Sequence, residues 1–286
     1  MTYSIVACDL KEQAWGVAVA SKFLAVGAVV PFAQAGAGAV ATQSYANTSF
    51  GPRGLAMLGN GVSAQETLDR LLADDEGRAQ RQVGLVDAEG HAVTFTGQSC
   101  FAWAGGLTGR GYACQGNILV SRATVEAMAE AFEKTSGELA DRLFAALLAG
   151  DSAGGDSRGK QAAALTVARP KGGYAGFNDR YLDLRVDDDP EPVRRLGGLV
   201  KLHRLYFGKS AASDRLKIAG DLAAELQTVM TRLGFYSGAI HGQYDEATRL
   251  ALRAFTGKEN LEDRTFLDAG TIDPPALEYI RERFGR

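Results

Sequence analysis

Thr2 is the residue whose type and position most favour nucleophilic chemistry. It carries a hydroxyl, and removal of Met1, which a small second residue permits, leaves it with a free α-amine. Such an amine has an ordinary pKa of about 7.7 to 8.0, so near neutrality part of it is unprotonated and can take the proton of its own residue's hydroxyl. Ser4 is the competing nucleophile, and it requires cleavage after Tyr3. Lys22 ends the next apolar run, where a positive charge favours the neutral amine and the alkoxide. Thr42, Gln43, Asn47, Gln115, Asn117, Asp156, Arg158 and Gln161 are polar residues beside glycine-containing turns, suited to recognising an amide or a carboxylate. Arg158 can hold a carboxylate through two parallel hydrogen bonds, and Asp156 can orient the nucleophile or the arginine. The same side chains can instead satisfy buried loop backbone.

A nucleophile at the chain's start works only if a sheet holds it, because termini otherwise fray. Thr2–Asp9 and Trp15–Lys22 read as two strands around a tight polar turn. The second alternates Trp15, Val17 and Val19 with Gly16, Ala18 and Ala20, so one face packs large side chains and the other admits a close neighbour. Further strands are expected at 26–32, 38–43, 82–87, 92–96, 112–115 and 162–168. Ser63 and Glu66 form a capping box opening a helix with Leu68, Leu71 and Leu72 inward; Thr135 and Glu138 repeat the device before Leu139, Leu143 and Leu147. Val125, Met128 and Phe132 mark the helix between. Strands in pairs, helices in pairs, then strands again predict an α+β sandwich of antiparallel sheets with helices layered on them.

At 286 residues, with 46% hydrophobic and 23% charged residues, the chain has the profile of a globular protein. A formal net charge of -3 with scattered Lys and Arg gives no footprint for nucleic acid. The sequence has neither a secretory-type start nor an apolar run of the roughly 18 residues a membrane span needs, so the expected address is the cytoplasm with no membrane contact. Cys8, Cys100 and Cys114 lack metal-ligand spacing, and His91, His203 and His241 are far apart in sequence, so neither a metal nor a cofactor is expected.

The run Asp187-Asp188-Asp189-Pro190-Glu191-Pro192 reads as a solvated turn capping a helix from Val193 to about Phe207. Beyond it the pattern becomes purely helical: Leu222, Leu226, Val229 and Leu233 share a face, Gly234 stops the helix, Asp245 caps the next, and Asp273-Pro274-Pro275 starts the last. The expected division is a domain at 1–207, a linker at 208–217 and a small all-α domain at 218–286. The thin core of the last favours a partner surface and a homo-oligomer.

Several separated stretches resemble a known family in order: Ser4-Ile5-Val6-Ala7, Gly16 to Lys22, Val26 to Pro31, Gly38 to Gln43, Gly51 to Leu55, Arg81 to Gly84, Gln115-Gly116-Asn117 and Gly155 to Gln161. Over roughly 2–205 the chain is similar to the bacterial family called domain of unknown function 1028. That family is grouped with the N-terminal nucleophile hydrolases. The resemblance implies a four-layer αββα sandwich and cleavage of amide bonds by the first residue of the mature chain, without metal, on a small amide or peptide-like substrate. A non-catalytic binding or assembly protein on the same sandwich is the alternative. The tail resembles a peptidoglycan-binding domain through Leu226-Gln227, Leu233 to Gly238, Gly242 to Asp245 and Ala251 to Phe255, which implies a peptidoglycan fragment as partner. Such repeats commonly carry an acidic residue where this chain has His241. Tyr236 and Tyr244 are there to stack on sugar or to fill the tail's core.

Overall fold

The computed structural model describes residues 2–208 and 210–285. Met1, whose removal the chemistry above requires, lies outside them. β1 (Thr2–Asp9) and β2 (Ala14–Ser21) form an antiparallel hairpin with Tyr3 opposite Ala20 and Cys8 opposite Trp15. A 3-10 turn at Val26–Ala28 leads to β3 (Pro31–Gln34) and β4 (Gly38–Ser44), followed by α1 (Phe50–Gly59) and α2 (Ala64–Ala73). Four strands come next: β5 (Arg81–Asp87), β6 (Ala92–Thr96), β7 (Gly105–Gly109) and β8 (Tyr112–Asn117). α3 (Ala123–Lys134), α4 (Leu139–Ser152), β9 (Ala162–Ala168), β10 (Arg180–Val186) and α5 (Pro192–Phe207) complete this part.

The strands make a six-stranded sheet, β10-β9-β2-β1-β8-β7, and a four-stranded sheet, β3-β4-β5-β6, antiparallel throughout. α3 and α4 cover the outer face of the first sheet, and α1 and α2 that of the second. The two inner faces pack through Val6, Val17, Val19, Ala39, Ala41 and Val86. This is an α+β, four-layer αββα sandwich. Its order follows from the two-residue period: Val40, Val83 and Leu85 turn outward to Phe50, Leu58 and Leu71 of the helices, while Ala39, Ala41 and Val86 turn inward.

Some local expectations change. The stretch 26–32 is a 3-10 turn before a short strand, because Ala25 takes a left-handed conformation and Pro31 opens a new edge. α1 was not anticipated; its Gly51-Pro52-Arg53-Gly54 reads as loop, yet Gly51 lets the Phe32 ring lie against the helix. Ser63 caps α2 as expected, accepting from the Glu66 N–H at 3.3 Å. Thr135 instead ends α3, and α4 starts after Glu138 without a side-chain cap.

The chain divides into two compact units, Met1–Leu199 and Val200–Arg286. In the second, α6 (Asp221–Arg232), α7 (Glu246–Lys258) and α8 (Pro274–Phe284) pack around Leu226, Met230, Leu252, Phe255 and Ile280. Leu233 caps α6 and is exposed instead of sharing the buried face. Three two-residue strands, β11 (Leu216–Lys217), β12 (Thr265–Phe266) and β13 (Thr271–Ile272), amend the purely helical expectation. Asp273 precedes α8, but its carboxylate pairs with buried Arg264 at 2.9 Å. No helix among the described residues is long and apolar enough to cross a membrane.

Candidate functional site

The layer between the two sheets changes character along β1. Cys8 and Val6 face apolar neighbours, whereas Ser4 and Thr2, on the same face, meet amides and hydroxyls. Ser4 is completely buried. Its hydroxyl donates to Gln43 Oε1 at 2.6 Å and accepts from Gln115 Nε2 at 2.6 Å. Gln43 Nε2 donates across to Gln82 Oε1 at 2.8 Å, as does Asn117 Nδ2 at 2.8 Å. Gln82 Nε2 in turn donates to Gly116 O at 2.7 Å and Thr96 Oγ1 at 2.9 Å. The result is a dry ladder of side-chain amides tying β1, β4, β5 and β8 together, and its members have their polar atoms paired as burial demands. One atom departs from that rule: Gln115 Oε1 is buried without a partner.

Thr2 sits at the end of this ladder, 6% exposed, between two paired neighbours: Ser21 at the end of β2 and Asn117 at the end of β8. The Thr2 and Ser21 hydroxyls are 3.1 Å apart. Tyr3 turns to the opposite face, where its hydroxyl donates to Asp151 Oδ1 at 3.1 Å. Burial first, and then the Asp151 carboxylate, raises the Tyr3 pKa well above the ordinary phenol value, so Tyr3 stays a neutral donor. Lys160 Nζ reaches the other Asp151 oxygen at 2.8 Å. The start of the chain is thus held from both faces.

Beside it, Asp156 organises the loop before β9. Its carboxylate accepts from Lys22 N at 2.8 Å and Arg158 N at 2.9 Å, and the Arg158 guanidinium folds back to it at 3.3 Å. The Lys22 ammonium donates to Lys160 O at 3.2 Å. Backbone bonds link the neighbouring loops in series: Ser157 N to Ile118 O, Ile118 N to Phe101 O, Ser99 N to Ala79 O and Tyr45 N to Gln80 O. Phe23, Leu24, Tyr45, Phe101 and Val120 are exposed on those loops. Arg81 steadies the Tyr45 turn, donating to Tyr45 O at 2.6 Å while bound to Asp75 through Nε at 2.7 Å.

The structure therefore brings Thr2, Ser4, Gln43, Gln115 and Asn117 into one layer and Lys22, Asp156 and Arg158 into the adjoining loops. Ser4, Gln43, Gln115 and Asn117 are buried, which suits holding the sheets in register. Thr42 belongs elsewhere: next to Gln43 in β4, it faces the helices and bonds Asn47 O at 3.2 Å. Asn47 Oδ1 accepts from the Ser49 N–H and hydroxyl at the start of α1, and Gln161 bonds Asp188 at 3.0 Å. Gln82 and Ser21 went unnoticed in the sequence. A lone polar residue on the inward face of an otherwise apolar strand was the available signal.

In the second unit, Gln227 is fully buried and its Oε1 accepts from His241 N and Gly242 N at 3.1 and 3.0 Å. His241 Nδ1 accepts from Gln243 N at 3.1 Å, which leaves Nε2, 3.2 Å from Asp245 Oδ2, as the donor. His241 thus shapes a turn, with a carboxylate four residues on. Tyr236 is core, while Tyr244 lines a hollow of about 430 Å³ with Lys217, Gln243 and Asp268.

Residues 206–280 match the family model described as "Putative peptidoglycan binding domain". The crystal structure of protein SPO2555 from Silicibacter pomeroyi, which carries the DUF1028 family model, is similar with a TM-score of 0.65 and 29% identity, covering 78% of this chain and 91% of that one. None of the curated proteins matches the chain. Residues 2–196 match the model of the family of unknown function DUF1028, and the chain belongs to that family.

Proposed function

We propose that the sandwich is an amidohydrolase of the N-terminal nucleophile type with Thr2 as nucleophile. The observation that supports this most is the Thr2 hydroxyl, 3.1 Å from Ser21 Oγ at the polar end of the inter-sheet layer. Once Met1 is removed, the Thr2 amine takes the hydroxyl proton as Oγ1 attacks the carbonyl carbon of a bound amide. The tetrahedral intermediate collapses, the C–N bond breaks, and the amine returns the proton to the leaving nitrogen. Water, deprotonated by the same amine, then cleaves the acyl ester and restores Thr2. Ser21 positions the hydroxyl, and Asp156 positions the Lys22 and Arg158 loops. Exposed Phe23, Leu24, Tyr45, Phe101 and Val120 on the linked loops favour amides with an apolar acyl group.

The test combines mass spectrometry of the purified chain with a panel of amides and N-acyl amino acids. The chain is expected to lack Met1, and Thr2→Ala to lose turnover by on the order of 10³-fold or more, whereas Ser4→Ala keeps it at temperatures where it stays folded. Turnover by a chain that retains Met1 sinks the amine mechanism.

The hollow beside Tyr244 favours a second role for the tail, capture of a murein fragment, which in the cytoplasm would be recycled wall material. Pull-down on murein is expected to fall when Tyr244 is replaced by Ala; unchanged retention dismisses the role.

A further inference from the structure

The loop between β9 and β10 carries Tyr174 and Phe177, which are 81% and 89% exposed. It is not slack. Arg169 N bonds Asp179 O at 2.9 Å, Gly173 N bonds Asn178 O at 2.9 Å, and the Arg169 guanidinium lies 3.5 Å over the Tyr181 ring. Ala175 and Gly176 take left-handed conformations that set the tip. Two aromatic rings are thus held out in water on a braced support.

Next to this loop, between the free edges of β3 and β10, runs a groove of about 830 Å³ lined by Ala28, Phe32, Ala33, Leu55, Val167 and Arg180 among others. Its lining is mixed, with Phe32, Ala33, Leu55 and Val167 on one side, the polar β10 edge on the other, and Tyr174 at its rim. The β10 edge carries both signs, with Arg180 and Arg185 sharing Asp183 at 3.5 and 2.9 Å and Asp179 beside them. Charged side chains on an edge strand discourage open-ended backbone pairing. An identical edge laid opposite meets complementary charges instead of a single repelling sign.

We propose that this face docks a second copy of the chain, Tyr174 and Phe177 of each copy entering the groove of the other. Knob and groove adjoin on one molecule, so a two-fold axis beside the loop satisfies both contacts at once and closes the assembly at two copies. Two buried aromatics cover roughly 300–500 Å² of the roughly 800 Å² per partner in a standard interface; the groove walls and the β10 edge supply the remainder. A braced loop also loses little freedom on docking.

Sedimentation velocity on the full chain tests this. The wild type is expected as a dimer at micromolar concentration. Tyr174→Ser with Phe177→Ser, which removes the knobs, and Ala28→Trp, which fills the groove, should each weaken association at least a hundredfold. Both changes are at exposed positions, and unchanged circular dichroism will show that the fold is kept. Mixing the two variants should restore association in part, because one of the two contacts can form between them, the knobs of the Ala28→Trp chain entering the open groove of the other. A monomeric wild type overturns the proposal, as does a dimer that survives both variants or a mixture that stays monomeric.

Discussion

Replacing Gln82 by leucine tests the amide ladder at its hub. The glutamine side chain makes five hydrogen bonds: Nε2 to Gly116 O, Thr96 Oγ1 and Gly105 O, and Oε1 from Gln43 Nε2 and Asn117 Nδ2. Leucine is of similar size but pairs with none of them. Gln43 Nε2 keeps longer contacts to Thr2 O at 3.3 Å and Gln115 O at 3.4 Å, so the Asn117 amide is stranded, and the Gly116 and Gly105 carbonyls and the Thr96 hydroxyl each lose a donor. Each stranded buried group costs about 1–3 kcal/mol, and the apolar surface that leucine buries offsets about 1–2 kcal/mol. Taken at mid-range, with the lost donors together counting as one further group, the net loss is about 2–3 kcal/mol, which at roughly 2–4 °C per kcal/mol lowers the melting temperature by roughly 4–12 °C. Tryptophan fluorescence isolates the right unit, since Trp15 and Trp103 are the chain's two tryptophans and Trp15 is buried in the sandwich. A variant melting within about 1 °C of wild type would refute a dry, hydrogen-bonded ladder.

Gly84→Ala places a methyl carbon 2.2 Å from Gln115 Oε1, and Gln115, fully buried and tied to Ser4, has nowhere to retreat. It should cost about 1–3 kcal/mol, with Gln115→Ala in the same chain restoring part of the loss by thermal melting. Hydrogen bonds from Arg81 hold the Asp75 carboxyl below its ordinary value of 3.8, so the stability it contributes is present above that value and is lost as pH falls. The difference in melting temperature between wild type and Asp75→Asn should therefore be full at neutrality and shrink below pH 3.8; a constant difference contradicts the ion pair.

The layered architecture could be read before the structure because β2 alternates large with small side chains, β1 and β9 are short apolar runs, and Ser63 and Asp245 are genuine caps. β7 and β10 were missed for opposite reasons: Gly105-Gly106-Leu107-Thr108-Gly109 has scarcely any side chains to alternate, and Arg180–Val186 is an edge strand whose charges mask its pattern. At the site, polar residues near glycine turns were gathered by type, and strand period then sorted them. Gln43 and Thr42 are neighbours in sequence yet face different layers, which no composition argument distinguishes. Gln82 stayed hidden because its partners come from β4 and β6 beside it in its own sheet and from β7 and β8 of the facing sheet, so neither strand pairing nor sheet packing alone reveals it.

β1 runs in the middle of its sheet and is paired on both sides as far as Thr2 and Tyr3. Under the proposed role of Thr2, any residue joined ahead of it turns the α-amine into an amide, so a recombinant chain carrying an uncleaved amino-terminal purification handle is expected to be inert, and material for enzymology is best tagged at the other end.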